Sequence, residues 1–188
     1  MKVLNKKFFD RPTVTVARDL LGKYLVSREV KVQQRRQRRQ LKKSNFYCPV
    51  RRTYGKLMSF MITEVEAYSG FNDKASHASR GKTKRNAPMF GKAGYWYVYF
   101  TYGMHWMLNA VTGPEGFPAA VLIRGTDKIG GPARITKFLK IGKKFNGKPA
   151  DKKTGLWIEK RRIKIKPSQI ATTKRIGVDY AGKWADKP

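Results

Sequence analysis

Leu57-Met58-Ser59-Phe60-Met61-Ile62-Thr63-Glu64-Val65-Glu66-Ala67-Tyr68 is the stretch on which the reading of the whole chain turns. Leu57, Ser59, Met61, Thr63, Val65 and Ala67 alternate with Met58, Phe60, Ile62, Glu64, Glu66 and Tyr68. Both sets are largely apolar, which is the pattern of a strand covered on both faces. Two acids in such a strand are conspicuous. A carboxylate among apolar neighbours loses hydration, so it is held by hydrogen bonds or a cation, or it serves as a general base. Spacing alone leaves those uses of Glu66 open. Glu64 and Glu66, with Asp73 and His77 close behind, also form a weak magnesium-nuclease signature.

Working outward, residues 8 to 26 predict a helix and then a strand. Pro12 and Thr13 start the helix, Val14, Ala17, Leu20 and Leu21 share one face, and Gly22 stops it. Residues 69 to 94 lack periodicity and predict a long loop with short helices, of the kind that tends to be functional. Tyr95-Trp96-Tyr97-Val98-Tyr99-Phe100-Thr101-Tyr102 is an aromatic strand turned at Gly103, with a return strand through Val111. Trp96, Val98 and Phe100 are expected in the core. Tyr102, at the turn, is placed to enter a base stack. A further strand runs from Ala119 to Arg124, Gly131-Pro132 opens a helix with Ile135, Phe138, Leu139 and Ile141 on its apolar side, and strand-like pieces lie around Leu156 to Ile165. Strands with helices at irregular intervals give a single α+β domain over residues 1–188, with a basic insertion at about 28–52.

The composition bounds the partner. Of 188 residues, 42 are Lys or Arg and 12 are Asp or Glu, so the formal charge is 42 − 12 = +30. Such a surplus repels itself and is offset by a polyanion, with nucleic acid ahead of an anionic membrane or incidental basicity. A hydrophobic share of 40% still supplies a core, which excludes disorder throughout. No apolar run reaches the roughly 20 residues of a membrane span, and the N-terminus lacks the sectors of a secretory signal. A protein inside the cell is expected, in the bacterial cytoplasm or nucleoid or the eukaryotic nucleus. The single cysteine, Cys48, cannot close an internal disulfide or anchor a thiolate zinc site, so no metal or cofactor is expected. Lys31 to Lys43 holds 7 basic residues in 13 with no acid. It predicts an exposed arm, either a solvated insertion or one that brings Arg35, Arg36, Arg38 and Arg39 to DNA phosphates.

Several motifs now combine. Phe8-Phe9-Asp10-Arg11-Pro12, Ala17-Arg18-Asp19-Leu20-Leu21-Gly22, Ile62-Thr63-Glu64-Val65-Glu66-Ala67-Tyr68, Asp73-Lys74-Ala75-Ser76-His77, Met89-Phe90, Tyr97-Val98-Tyr99-Phe100-Thr101-Tyr102-Gly103-Met104 and Gly131-Pro132-Ala133-Arg134 stand in order along the chain. The set resembles the alkyladenine (3-methylpurine) DNA glycosylase family from Phe8 to about Tyr180, the basic arm omitted. The resemblance implies a curved, mostly antiparallel sheet flanked by helices, with an aromatic hairpin carrying a DNA wedge. It implies a monofunctional, metal-free hydrolase that flips a damaged purine from double-stranded DNA and leaves an abasic site, and a monomer is expected. By the same resemblance Glu66 activates the attacking water and Arg124 helps position it. Tyr68, His77 and Tyr99 surround the flipped base, Asn109 crowds the amino group of an intact guanine, and Tyr102 fills the vacated stack. Arg85 is assigned to the DNA backbone.

The chemistry of the lesion fits those residues. A purine alkylated at N3 or N7 is cationic and leaves readily, so a positioned water and aromatic faces suffice. A neutral lesion such as hypoxanthine needs protonation as well, and the sequence names no dedicated acid. Where the family has a short hairpin, this chain carries the basic arm, expected to alter DNA affinity. It also ends at Pro188 where relatives commonly continue, which is expected to weaken folding or binding. Two other classes remain open at this stage. A non-catalytic nucleic-acid binder explains the charge without Glu66 and Tyr102, and a metal-dependent nuclease explains the acids without the aromatics.

Overall fold

The apolar run folds as a strand, β3 (Met58–Ser69), fourth of seven in the sheet order β1-β7-β2-β3-β6-β5-β4. It is not covered on both faces as expected: Phe60, Ile62 and Glu66 are buried, whereas Met61 and Val65 are half-buried and Thr63 is exposed. The others are β1 (Lys2–Val3), β2 (Tyr24–Ser27), β4 (Trp96–Thr101), β5 (His105–Val111), β6 (Ala119–Thr126) and β7 (Leu156–Lys160). The computed structural model describes residues 1–28 and 57–186. The basic arm, with Arg35, Arg36, Arg38 and Arg39, and Cys48 lie outside the described residues. Every strand pair in the sheet is antiparallel. The start of β3 pairs with β2, Tyr24 opposite Met61, and the remainder pairs with β6, Ser69 opposite Ala119. Register shifts at Ile62, Glu64 and Val65 separate the two halves. An extra residue at such a bulge bends the strand and sharpens its twist, which curves the sheet. Beyond the bulge both Glu64 and Glu66 reach Arg124 on β6.

Among the described residues, three α-helices flank the sheet: α1 (Lys6–Phe9), α2 (Thr13–Leu20) and α3 (Pro132–Phe138). The buried face of α2 is Thr13, Val16, Ala17 and Leu20, whereas Val14, assigned to that face from its hydropathy, is 51% exposed. The correction has a physical cause. Thr13 is buried because its hydroxyl is satisfied, donating to Ser69 Oγ at 3.2 Å and accepting from Thr112 Oγ1 at 3.1 Å, and an apolar pattern does not register a satisfied hydroxyl. Val16 and Leu20 are fully buried, each contributing about 1.5–3 kcal/mol of hydrophobic stabilisation. Gly22 then turns the chain with φ +75°, and a Cβ there would stand 2.7 Å from Ile165 Cγ1.

Trp96 and Val98 lie in the core as expected, and the Trp96 indole donates to the Leu156 carbonyl at 3.0 Å. Phe100 does not. It is exposed and leans on Trp106 with ring centroids 4.8 Å apart. The β4–β5 hairpin runs past the end of its neighbour, because β5 pairs with β6 only from Asn109 to Val111. Among the described residues, its tip therefore has no third strand beneath it. Helix α3 packs across β5 and β6, burying Ile135 and directing the Thr136 hydroxyl to the Trp106 carbonyl at 2.7 Å. No helix among the described residues is long and apolar enough to cross a membrane.

Candidate active site

Glu66 is 5% exposed, and both of its carboxylate oxygens are engaged. Tyr68, two residues on along the same face of β3, donates its hydroxyl to Oε1. Arg124 of the neighbouring strand donates Nη1 to Oε2 at 2.7 Å and Nε to Glu64 at 2.9 Å. A carboxylate can accept about four hydrogen bonds, so one donor on each oxygen leaves capacity for another. Burial works against the charge of Arg124, but the hydrogen bond to Glu64 and the charges of Glu66 and Glu64 outweigh it and raise its pKa. Burial, then the charge and hydrogen bond of Glu66, push the Tyr68 phenol far above its usual range. Tyr68 therefore stays a neutral donor.

Tyr68 and Arg124 are also walls of a cavity of about 180 Å³, and His77, Tyr99, Tyr102 and Asn109 complete the expected set around it. Glu66 lies immediately behind that wall, bonded to two of its members. The volume suits one heterocycle rather than a larger ligand. The aromatic side is tightly ordered: His77 meets Tyr99 edge to face at 4.4 Å, and Tyr97 lies 5.2 Å from Tyr99. The Tyr97 hydroxyl is 3.1 Å from His77 Nδ1. His77 as a whole is exposed, but partial desolvation and the charge of Arg85 hold its pKa below the ordinary value. Tyr99 is pushed up to about 12 by burial and by the charge of Glu66. Asn109 is buried, and its amide donates to the Tyr97 carbonyl at 3.1 Å, which fixes the face it turns to the cavity.

Tyr102 caps the β4–β5 hairpin and is 78% exposed. Met104 N–H donates to the Thr101 carbonyl at 3.1 Å, and both residues between them have positive φ, +50° for Tyr102 and +65° for Gly103. A bulky ring in that region costs of order 1 kcal/mol or more and persists only where its surroundings hold it. Arg85, expected at the DNA backbone, donates to the Phe100 carbonyl at 2.8 Å and lies 5.5 Å over the Tyr99 ring. It braces the hairpin.

Some of the site is not legible in the sequence. Asn86, buried in the loop after β3, donates to the carbonyls of His77 at 2.8 Å and Gly81 at 2.9 Å, and so holds the segment that presents His77. Ile176, Gly177, Val178 and Tyr180 also line the cavity. Asp73, grouped with the acids in the nuclease reading, is instead paired with Arg175 at 2.7 Å. Glu64 and Glu66 are committed to Arg124, and among the described residues no group of three or more His, Cys, Asp or Glu is arranged to hold a metal. A larger, mostly apolar cleft of about 500 Å³ lies between residues 10–14 and Phe117 and contains none of the expected site residues.

A family model described as methylpurine-DNA glycosylase matches residues 48–130 and 126–188. A protein of Methanocella arvoryzae, provisionally named as a 3-methyladenine DNA glycosylase, is 39% identical over 208 residues, covering 100% of this chain and 90% of its own. A protein of Legionella pneumophila with the same provisional name is 37% identical over 193 residues, 99% and 91% of the two chains. Another, from the Wolbachia pipientis of Culex pipiens, is 45% identical over 151 residues, 77% and 67% of the two.

Proposed function

Because this chain belongs to the methylpurine-DNA glycosylase family, we propose that Glu66 is the base of its reaction and that the aromatic cavity receives the target purine. The protein is a monofunctional DNA glycosylase, a DNA-repair hydrolase of N-glycosyl bonds whose partner is DNA. The observation that carries the finer reading is the placement of the Glu66 carboxylate behind a base-sized cavity, clamped by two residues that line it.

The steps follow from the groups present. Tyr102 enters the duplex and fills the space of an everted nucleotide. Unstacking costs a few kcal/mol, and base–aromatic stacking returns about 1–3 kcal/mol, so weakly stacked or damaged purines are everted preferentially. Tyr68, His77 and Tyr99 surround the base. The carboxylate of Glu66 accepts a proton from water as that water attacks the anomeric carbon, and its charge stabilises the cationic sugar that develops as the base departs. Arg124 fixes the carboxylate and, with it, the attacking water. The products are a free base and an abasic site.

A neutral His77 favours cationic substrates. With its pKa lowered, no imidazolium stands ready to protonate a neutral purine, whereas a base alkylated at N3 or N7 carries its positive charge in and is held by aromatic faces. This reading favours alkylated purines over hypoxanthine as substrates. The experiment incubates the protein in EDTA with duplex DNA bearing one 7-methylguanine or one hypoxanthine, followed by heating in alkali. Free 7-methylguanine with an alkali-labile site, formed faster than free hypoxanthine, is expected. Binding without release, or strand cutting only with magnesium, contradicts the reading.

A further inference from the structure

We propose that Arg175 is a positioning residue for this reaction: it fixes the plane of Tyr68 and thereby the hydroxyl that Tyr68 donates to Glu66. The inference deepens the reading of Glu66 as the base and rests on it.

Arg175 stands in a C-terminal stretch where 16 basic residues face 4 acids from Lys137 onward, yet its side chain is only 6% exposed. Its Nη1 meets Asp73 Oδ1 at 2.7 Å, and Asp73 is itself 1% exposed and anchored by the backbone N–H groups of Ser69 at 3.3 Å and Ala75 at 3.1 Å. Asp73 is thus a fixed post tied to the residue that follows Tyr68. From it the guanidinium extends over the Tyr68 ring, its central carbon 5.2 Å from the ring centroid. A ring that forms a cavity wall is packed on only part of its surface, so the direction of its hydroxyl depends on what lies behind it. Here that is a planar cation, which favours an aromatic face both electrostatically and by shape.

The orphaned donor of Arg175 points the same way. Its Nε is buried with no hydrogen-bond partner among the described residues, an arrangement that costs desolvation. An arginine whose whole purpose was to neutralise Asp73 would gain by turning its fork to use that donor. The cation–π contact with Tyr68 and the Asp73 contact together hold it in the orientation observed. Arg175 also stands directly before Ile176, Gly177, Val178 and Tyr180, which line the same cavity, and the Tyr180 hydroxyl reaches the Ala75 carbonyl at 3.4 Å. One residue therefore registers the tail, the loop leading to His77, and the ring that touches the base.

The test is a double-mutant cycle between R175K and Y68F in the full-length protein, read by single-turnover excision of 7-methylguanine and by affinity for duplex DNA carrying a tetrahydrofuran abasic analogue. Lysine keeps a charge for Asp73 but has no plane to lay on the ring. R175K is expected to slow excision about tenfold with DNA affinity nearly unchanged, since small misplacements of a catalytic group carry penalties of that size. In the Y68F background, where the hydroxyl is already gone, the same change should slow excision by no more than about twofold. Equal factors in both backgrounds, or a loss confined to affinity, overturn the proposal. Should R175K not fold, D73N with Y68F completes the same cycle by releasing Arg175 from its post. E66Q assayed alongside separates the two levels. Excision by E66Q at the parental rate removes the base reading and this inference with it, whereas an inactive E66Q with independent R175K and Y68F effects removes this inference alone.

Discussion

Arg124 and Glu66 meet at 2.7 Å across the β3–β6 ladder, with side chains 14% and 5% exposed, so Arg124 is the cation that neutralises the buried Glu66, while Glu64 shares Arg124 at 2.9 Å. Removing one member of such a pair strands a buried charge. Arg124→Ala should therefore lower stability by about 3 kcal/mol, near the lower bound for buried pairs because Arg124 also touches the half-exposed Glu64. It should also abolish measurable excision. Arg124→Lys should retain more stability than Arg124→Ala but lose the two-pronged contact to Glu66 and Glu64. Urea denaturation with single-turnover kinetics measures both effects, and an Arg124→Ala protein as stable as the parent contradicts the pairing argument.

At the hairpin tip, stability and function should separate. Tyr102 holds φ +50°, a conformation glycine adopts freely. Tyr102→Gly is expected to leave the melting temperature unchanged or slightly raised, since relief of about 1 kcal/mol of backbone strain offsets the added chain entropy. The same variant should excise from a paired lesion much more slowly, with a smaller loss when the lesion lies opposite a gap. Equal losses in both settings remove the wedge role.

The pH response of His77 follows from its lowered pKa, caused first by burial and then by Arg85. A histidine depressed in the folded state is neutral there while the unfolded chain takes up a proton near its ordinary value of 6.5. Its contribution to stability is thus present above about pH 6.5 and lost as pH falls through the folded value. Imidazole NMR titration should find His77 below the ordinary value in the parent and higher in Arg85→Ala. A value at or above the ordinary one in the parent contradicts the neutral-imidazole argument for cationic substrates.

The arm is expected to act on affinity alone. Neutralising Arg35, Arg36, Arg38 and Arg39 together should reduce the slope of log affinity against log salt by up to about 0.9 for each phosphate that the arm ceases to neutralise. The single-turnover rate at saturating protein should not change. An unchanged slope makes the arm a bystander.

The parts of the fold that can be read from the sequence are those whose side chains repeat with the backbone. β3, the aromatic hairpin and α3 all announce themselves by period, and Glu66 is conspicuous as an acid in an apolar strand. Hydropathy misassigns the buried face of α2 because Thr13 is buried through hydrogen bonds. It misplaces Phe100 because it does not show where a neighbouring strand ends. Arg175 is hidden for a different reason: in a tail dense with lysine and arginine, nothing local distinguishes the one cation that folds back 102 positions to Asp73. Long-range charge pairing has no sequence period, so the cavity's second wall emerges only in three dimensions.

The most direct test of the account is Glu66→Gln, a near-isosteric change that keeps an acceptor for Tyr68 and removes the charge. Single-turnover release of 7-methylguanine from duplex DNA should fall by about 100-fold or more, the scale of a lost general base, while affinity for the lesion-bearing duplex is retained. Release at the parental rate would contradict the assignment of Glu66 as the group that activates water.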